Sequence, residues 1–169
     1  MSTLAVDSLN LKGSGPVSSV GKILQVVQTV KTDNFSTTST TFVDVTGFSV
    51  SITPSSTSSK VLIMINMNSS TSGGNNAMIK LVRGSTDIAV GDASGSRLQA
   101  TAQTRMDNDS NSCATLTTCF LDSPNTTSEI TYKLYMRGSS GSYTYYINRR
   151  SSDDLFRGST SLICMEVKG

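Results

Sequence analysis

The residue types on which most protein catalysis relies are scarce in this chain. It contains no histidine, which excludes Ser-His-Asp and Cys-His nucleophile systems and nearly all zinc hydrolase sites. Glutamate occurs only at Glu129 and Glu166, and we expect both to flank strands. Paired aspartates could still serve a glycosidase, but no feature of the sequence singles out such a pair. We therefore predict no catalytic residues and no enzyme activity.

Only one stretch resembles a metal site. Asp107-Asn-Asp-Ser-Asn111 matches the start of a calcium-binding loop. Such a loop needs Gly at its sixth position and a bidentate Glu at its twelfth, where this chain has Ser112 and Thr118. A Gly-rich phosphate-binding loop would have to precede a helix, and no helix is predicted. We therefore predict no metal and no cofactor.

Aromatic and basic residues provide weak indications of a ligand. Tyr143, Tyr145 and Tyr146 could stack on a sugar ring, although aromatic residues in a strand more often belong to a core or an interface. A glycan is kept as an additional partner on this basis. Arg149 and Arg150 are the only adjacent basic pair, and the net charge is +2. No nucleic-acid partner is therefore predicted.

Three cysteines bear on the redox compartment. Cys113 and Cys119 are six residues apart in one predicted strand, which places them about 20 Å apart and too far to form a disulfide. Cys164 stands alone in the last predicted strand. We interpret all three as small buried hydrophobic residues of a protein that folds in a reducing cytoplasm.

The most apolar run, residues 60–68, predicts the central strand of the fold. With period two, Val61, Ile63, Ile65 and Met67 share an apolar face that should look into a core. The opposite face is apolar only in its first half, which suggests contact with a partner. This face and a Tyr-rich strand over residues 143–147 predict a homotrimer. The candidate interface residues are Leu62, Met64, Tyr143 and Tyr145.

Further strand patterns occur along the chain without a helical window. They cover residues 21–31, 41–46, 48–53, 77–82, 88–90, 113–121, 130–136, 143–147 and 161–167. Gly47 reads as a bulge or a tight bend between the second and third, and residues 91–111 read as a long irregular segment. About nine or ten short strands at this spacing predict an all-β antiparallel sandwich or jelly roll. The predicted domain covers residues 21–169.

Residues 1–20 read as an extended N-terminal arm rather than as part of the domain. Leu4 and Val6 alternate, and so do Leu9 and Leu11, as in a strand added to another sheet. Fully extended, 20 residues reach on the order of 65 Å. We expect these four residues to dock on a partner, the alternative being a disordered tail. The first residues lack a secretory pattern and the longest apolar run is too short for a bilayer, so no membrane insertion is predicted.

Three stretches resemble structural proteins of tailed bacteriophages, especially those of aquatic bacteria. The first is Ser-Thr-Leu-Ala-Val-Asp-Ser-Leu at residues 2–9. The second is Gly-Lys-Ile-Leu-Gln-Val-Val-Gln-Thr at 21–29 together with residues 42–54 and 58–63, and the third is Tyr-Ile-Asn-Arg at 146–149 together with residues 159–167. Such modules are used in capsid decoration, head fibres and tail fibres. The resemblance implies a trimeric jelly roll of the tumour necrosis factor type. The chain lacks the coiled coil, repeat or β-helical shaft of a long tail fibre.

The resemblance and the composition together give a functional expectation. Charged residues make up 15 % against about 25 % in an average domain, which suits a surface covered in an assembly. We expect a trimeric capsid decoration or cement protein, assembled in the host bacterial cytoplasm and located in the virion. Its arm would bind the major capsid protein or another virion protein. The alternatives are a tail-fibre or receptor-binding knob and, third, a sugar-binding or polysaccharide-active role.

Overall fold

The computed structural model describes residues 21–105, 111–152 and 156–169. None of these residues forms a helix long and apolar enough to span a membrane. All the regular elements are strands: β1 (Ile23–Lys31), β2 (Phe35–Thr37), β3 (Val43–Ile52), β4 (Lys60–Thr71), β5 (Asn76–Arg83), β6 (Thr86–Ile88), β7 (Ala102–Arg105), β8 (Ala114–Asp122), β9 (Ile130–Gly138), β10 (Tyr145–Ile147) and β11 (Thr160–Val167).

The strands form two antiparallel sheets packed as a sandwich. In sheet A the order is β1-β11-β4-β10-β2, with β8 on the other edge of β4. In sheet B the order is β3-β9-β5-β6, and β7 pairs with β5 beside β6. The first and last strands are neighbours, and successive strands alternate between the two sheets from β2 to β5 and again from β7 to β10. The chain therefore forms the closed double-sheet arrangement of a jelly roll. The predicted fold class is confirmed.

Strand β4 is the centre of sheet A, as its sequence predicts, and it is three residues longer than predicted. Its first half pairs with β11 and its last three residues pair with β10, while β8 follows most of the other edge. Val61, Ile63, Ile65 and Met67 are buried in the core. Each such side chain contributes about 1.5–3 kcal/mol by leaving water. Residues of β3, β5 and β9 cover them from sheet B.

The predicted break at Gly47 is a bulge inside one strand. The pairing of β3 with β9 shifts register between Asp44 and Ser49, and Gly47 has a φ of 73°, which a residue with a Cβ adopts only under strain. The ammonium group of Lys31 donates to the Thr46 carbonyl at this point and to both carboxylate oxygens of Asp33. The bulge is therefore tied to the end of β1.

Two strands were not predicted, and two predicted boundaries are wrong. Strands β2 and β7 are short and polar, and each is held by one neighbouring strand rather than by its own apolar pattern. The hairpin after β5 turns at Gly84-Ser85, so its second strand is Thr86–Ile88 and not residues 88–90. Strand β10 begins at Tyr145, two residues later than predicted.

Glu166 lies inside β11 and is buried, whereas the sequence suggested a position flanking a strand. Its carboxylate accepts hydrogen bonds from the Ser55 amide and hydroxyl and from the Gln25 side-chain amide. Burial alone would raise the pKa of Glu166, but the hydrogen bonds from Ser55 and Gln25 outweigh it and lower the pKa to about 2. The carboxylate therefore fastens the loop after β3 to both strands at the edge of sheet A.

We expect acid to weaken the fold through Glu166. A carboxyl pKa lower in the folded than in the unfolded state stabilises the fold above about pH 5, and this contribution disappears as pH falls towards 2. The shift corresponds to about 3 kcal/mol at most. Urea unfolding of Glu166→Gln between pH 7 and pH 2 should show a flatter pH dependence than the wild type. The exposed Glu129→Gln is the matched control, and an equally flat curve for it would contradict the assignment.

Candidate interaction surface

The outer face of sheet A carries a contiguous apolar patch built by register. Cross-strand pairing aligns β1, β11, β4 and β8, so that their outward side chains form rows across the sheet. One row is Val26, Met165, Leu62 and Leu121, and the adjacent row holds Ile163 and Met64 between Gln28 and Cys119. We call the six residues Val26, Leu62, Met64, Leu121, Ile163 and Met165 the apolar face.

The apolar face is exposed although the core beneath it is complete. Val26 is 56 %, Leu121 46 % and Met64 38 % exposed, and the other three are half-buried by their neighbours. The next row towards the other end of the strands is mostly polar: Asn66, Thr117 and Ser161 are in line, and Val30 stands at its β1 end. A continuous patch of this kind marks an interaction site, whereas single exposed apolar residues do not.

The outer face of sheet B has the opposite character. Lys80 pairs with Asp87, and Lys133 lies 3.6 Å from Asp44. The Lys80 ammonium also lies 4.6 Å from the centre of the Phe42 ring. A face with charges spread in this way favours contact with solvent. The outer faces of the two sheets therefore differ in polarity. Sheet A suits a partner and sheet B suits solvent.

The structure separates the four candidate interface residues. Leu62 and Met64 lie on the apolar face, where contact with another copy stays a prediction. Tyr145 is fully buried in the core, so the prediction that it contacts another copy is wrong. Its hydroxyl donates to the Ser140 carbonyl and its ring fills the space above Gly138. Tyr143 packs its ring against Gly73 within the same chain but is partly exposed, so its contact with another copy stays a prediction.

The other members of the apolar face were missed because each is ambiguous in sequence. Val26 and Leu121 belong to strands whose partners cannot be identified from local pattern, and Ile163 and Met165 alternate with buried residues in β11. Only the register of four strands shows that these side chains are neighbours. The mixed second face of β4 was the one available signal.

The cysteine prediction is correct for one residue of three. Cys164 is buried, and burial raises the pKa of its thiol to about 12. Cys113 and Cys119 are exposed, contrary to the prediction. The reason is that β8 turns Leu116 and Asp122 inward, so its odd-numbered positions face out. Cys119 therefore lies beside Met64 at the border of the apolar face.

Polar groups inside the sandwich form a structural cluster. Asp122 is buried. Its carboxylate accepts two hydrogen bonds of 2.9 Å from Arg83 and one of 2.7 Å from the Tyr132 hydroxyl. Burial and the hydrogen bond to Asp122 raise the pKa of Tyr132. No cluster of three metal-ligating side chains occurs among the described residues. Most of the calcium-like stretch, residues 107–110, lies outside the described residues.

A groove opens on the opposite side of the sandwich from the apolar face. Residues 91–100 form a closed loop in which the Gly91 amide donates to the Ala100 carbonyl at 3.3 Å. The groove lies between this loop and the outward side of β5 and β7, with Met78 and Gln103 along it. Arg97 and Asp92 stand at its walls. The predicted docking residues Leu4, Val6, Leu9 and Leu11 lie outside the described residues.

Comparison with known proteins gives low similarities. No protein-family model matches the chain, and no curated protein matches it. Similar solved structures include a chain of the Gx strain of infectious bursal disease virus, with 16 % identity and a TM-score of 0.45, covering 96 % of this chain. Another is the VP2 subviral particle of infectious bursal disease virus, with 14 % identity, a TM-score of 0.40 and 98 % of this chain covered. This chain spans 42 % of the length of either. Similarity at this level transfers no function.

Proposed function

We propose that this chain is a non-enzymatic structural protein of a virion, and specifically a homotrimeric capsid decoration or cement protein. The apolar face of sheet A is the observation that carries the proposal. It is contiguous, spans four strands and lies opposite a charged face, which is the distribution of a subunit that buries one side in an assembly. The sequence resemblance to structural proteins of tailed bacteriophages supports the location in a virion.

The arm completes the proposed role. Gly21 is the first described residue, and its amide donates to the Lys168 carbonyl. The arm is therefore joined to the domain beside the start of β1 and the end of β11. Their alternating leucines and valine suit addition to the edge of another sheet. Through the arm, each trimer would be fastened to the major capsid protein or another virion protein. A cement protein of this kind stabilises a shell because its contacts exist only in the assembled particle.

The groove beside residues 91–100 favours a second candidate function. A closed and exposed loop on the solvent-facing sheet is a common place for a recognition site. In a tail-fibre or receptor-binding knob this groove would contact the host surface, including a glycan. The two candidates differ in what the particle loses when the chain is missing.

We expect particles without this chain to release DNA at a lower temperature than complete particles and to adsorb normally to host cells. Heat-induced DNA release, followed by dye fluorescence, and adsorption counts measure the two properties. Particles supplied with the chain lacking residues 1–20 should behave like particles without it, whereas the full chain should restore heat resistance. Normal heat resistance with lost adsorption would contradict decoration and favour the receptor-binding knob.

A further inference from the structure

Strand β8 is a long and regular edge strand. It has nine residues and pairs with β4 from Ala114 to Asp122 without a register shift. No strand among the described residues pairs with its other edge. The backbone groups on that edge are therefore available to an additional strand, and such edges are pairing sites unless the protein protects them.

The other long edges are protected. Strand β1 has an irregularity between Ile23 and Gln25, and its side chains bridge to the backbone of β3. Thr29 and Lys31 donate to the β3 carbonyls of Ser49 and Thr46. Gln25 donates to the carbonyl of Thr53, the residue that follows β3. The edges of β1 and β3 therefore close one side of the sandwich together. Strands β2, β6 and β7 have three or four residues each and offer little length for pairing.

Strand β8 has none of these protective features. It contains no Gly, Pro, Lys or Arg, and its one charged residue, Asp122, is buried and bonded to Arg83. Three of its nine residues are threonine, which favours strand pairing. Leu121 is exposed beside the edge, and Phe120 on the inner side is only partly covered. An added strand would satisfy the backbone groups and cover both side chains.

We propose that the free edge of β8 receives residues 1–12 of a neighbouring copy of this chain as an added strand. The inference rests on the proposed function and makes it more specific: copies lie side by side with their apolar faces in contact, and the other virion protein that the arm binds is a neighbouring copy. Residues 13–20 form the connection, and about eight extended residues reach about 25 Å. The arm starts at β1, which lies three strands from β8 in the same sheet, about 14 Å away. The direct path to its own β8 crosses the apolar face, which contacts between copies occupy, so the acceptor is a neighbour's β8.

Cysteine cross-linking in the full-length chain tests the proposal. The tagged form carries Cys113→Ser and Cys119→Ser and one introduced cysteine, which replaces Thr3, Leu4, Ala5 or Val6 in four separate variants. The untagged form carries Cys113→Ser and keeps Cys119, which is exposed on β8. The two forms are coexpressed and oxidised. We expect disulfide-linked pairs of tagged and untagged chains, formed several-fold more at alternate arm positions than at the positions between them. No linked pairs, or equal linking at all four positions, would overturn the proposal.

A charge on the edge strand provides a second, independent test. Thr117→Lys adds a cation to the exposed face of β8, and Gln28→Lys adds the same cation to the outer face of β1 as the matched control. We expect Thr117→Lys, but not Gln28→Lys, to speed trypsin cleavage after Lys12 by about tenfold or more, as loss of about 1.4 kcal/mol of docking would do. Equal cleavage rates in both variants and the wild type would overturn arm docking on β8.

Sedimentation of the same samples separates the two proposals. Because Thr117 lies in the polar part of the sheet, in line with Asn66 and Ser161, its substitution should leave the contacts of the apolar face intact. Trimers in all samples with unchanged arm cleavage would overturn the β8 inference alone. Monomers in the wild type would overturn the proposed self-association and, with it, the neighbouring acceptor.

Discussion

Replacing Met64 with lysine should convert the proposed trimer of this protein into folded monomers. Met64 lies between Ile163 and Cys119 on the apolar face and is already 38 % exposed, so a lysine there reaches water in a single copy. In a contact between copies the same ammonium group would lose its hydration without gaining a partner. We expect the association constant to fall at least about 100-fold, corresponding to roughly 3 kcal/mol. Sedimentation velocity at micromolar concentration measures the change.

Two further variants make this result specific to the apolar face. Val26→Lys, in the adjacent row and on another strand, should act in the same direction. Ser51→Lys adds an equal charge to the exposed outer face of sheet B and should leave the trimer intact. Circular dichroism and urea unfolding should show that all three variants remain folded. A trimer that is unaffected by Met64→Lys and Val26→Lys would place the contact between copies elsewhere.

The architecture could be predicted because its main strands carry their own patterns. The alternation of Val61, Ile63, Ile65 and Met67 specifies a core-facing side wherever the strand lies. The glycine at position 47 specifies a bulge because its positive φ disfavours other residues. Strands β2 and β7 could not be predicted, since their extended conformation depends on hydrogen bonds to β10 and β5 rather than on their own side chains.

The candidate surface was only partly predictable, for a different reason. A half-apolar face on β4 signals that something covers Leu62 and Met64, but it does not say whether the cover belongs to the same chain. Tyr145 has the sequence character of an interface residue, and only the absence of a side chain at Gly138 shows that its ring lies inside. The alternation in β8 does not show which of its faces points inward. The sequence-based prediction therefore placed Cys113 and Cys119 in the core, whereas both are exposed. Tertiary pairing decides all three cases.

A buried asparagine near the end of the chain holds three segments together. Asn148 is fully buried and has a φ of 65°. Its side-chain amide donates to the Lys31 carbonyl at 2.8 Å and to the Asp33 carbonyl at 3.0 Å, and its side-chain oxygen accepts from the Thr160 hydroxyl at 2.7 Å. The residue therefore connects the end of β1, the segment after β10 and the start of β11. Few other residues could supply both this backbone conformation and these bonds.

We expect Asn148→Ala to lower the free energy of unfolding by about 4 kcal/mol or more. The substitution leaves two backbone carbonyls and the Thr160 hydroxyl without their partner, at about 1–3 kcal/mol for each group that water cannot reach. It also places alanine, which has no polar side chain to bond locally, at a positive φ, and this backbone strain costs about 1 kcal/mol. Urea unfolding of wild type and variant at pH 7, followed by circular dichroism, measures the loss.

Asn125 provides the matched control for the backbone contribution. It has a φ of 54°, close to that of Asn148, but its side chain is exposed. Asn125→Ala should therefore lower the free energy of unfolding by about 1 kcal/mol only, since it adds the same backbone strain and removes no buried hydrogen bond. Asn148→Gly tests the converse, because glycine adopts positive φ freely and yet lacks the amide. If Asn148→Gly were as stable as the wild type, the buried hydrogen bonds of Asn148 would contribute nothing and the large loss expected for Asn148→Ala would have to come from strain.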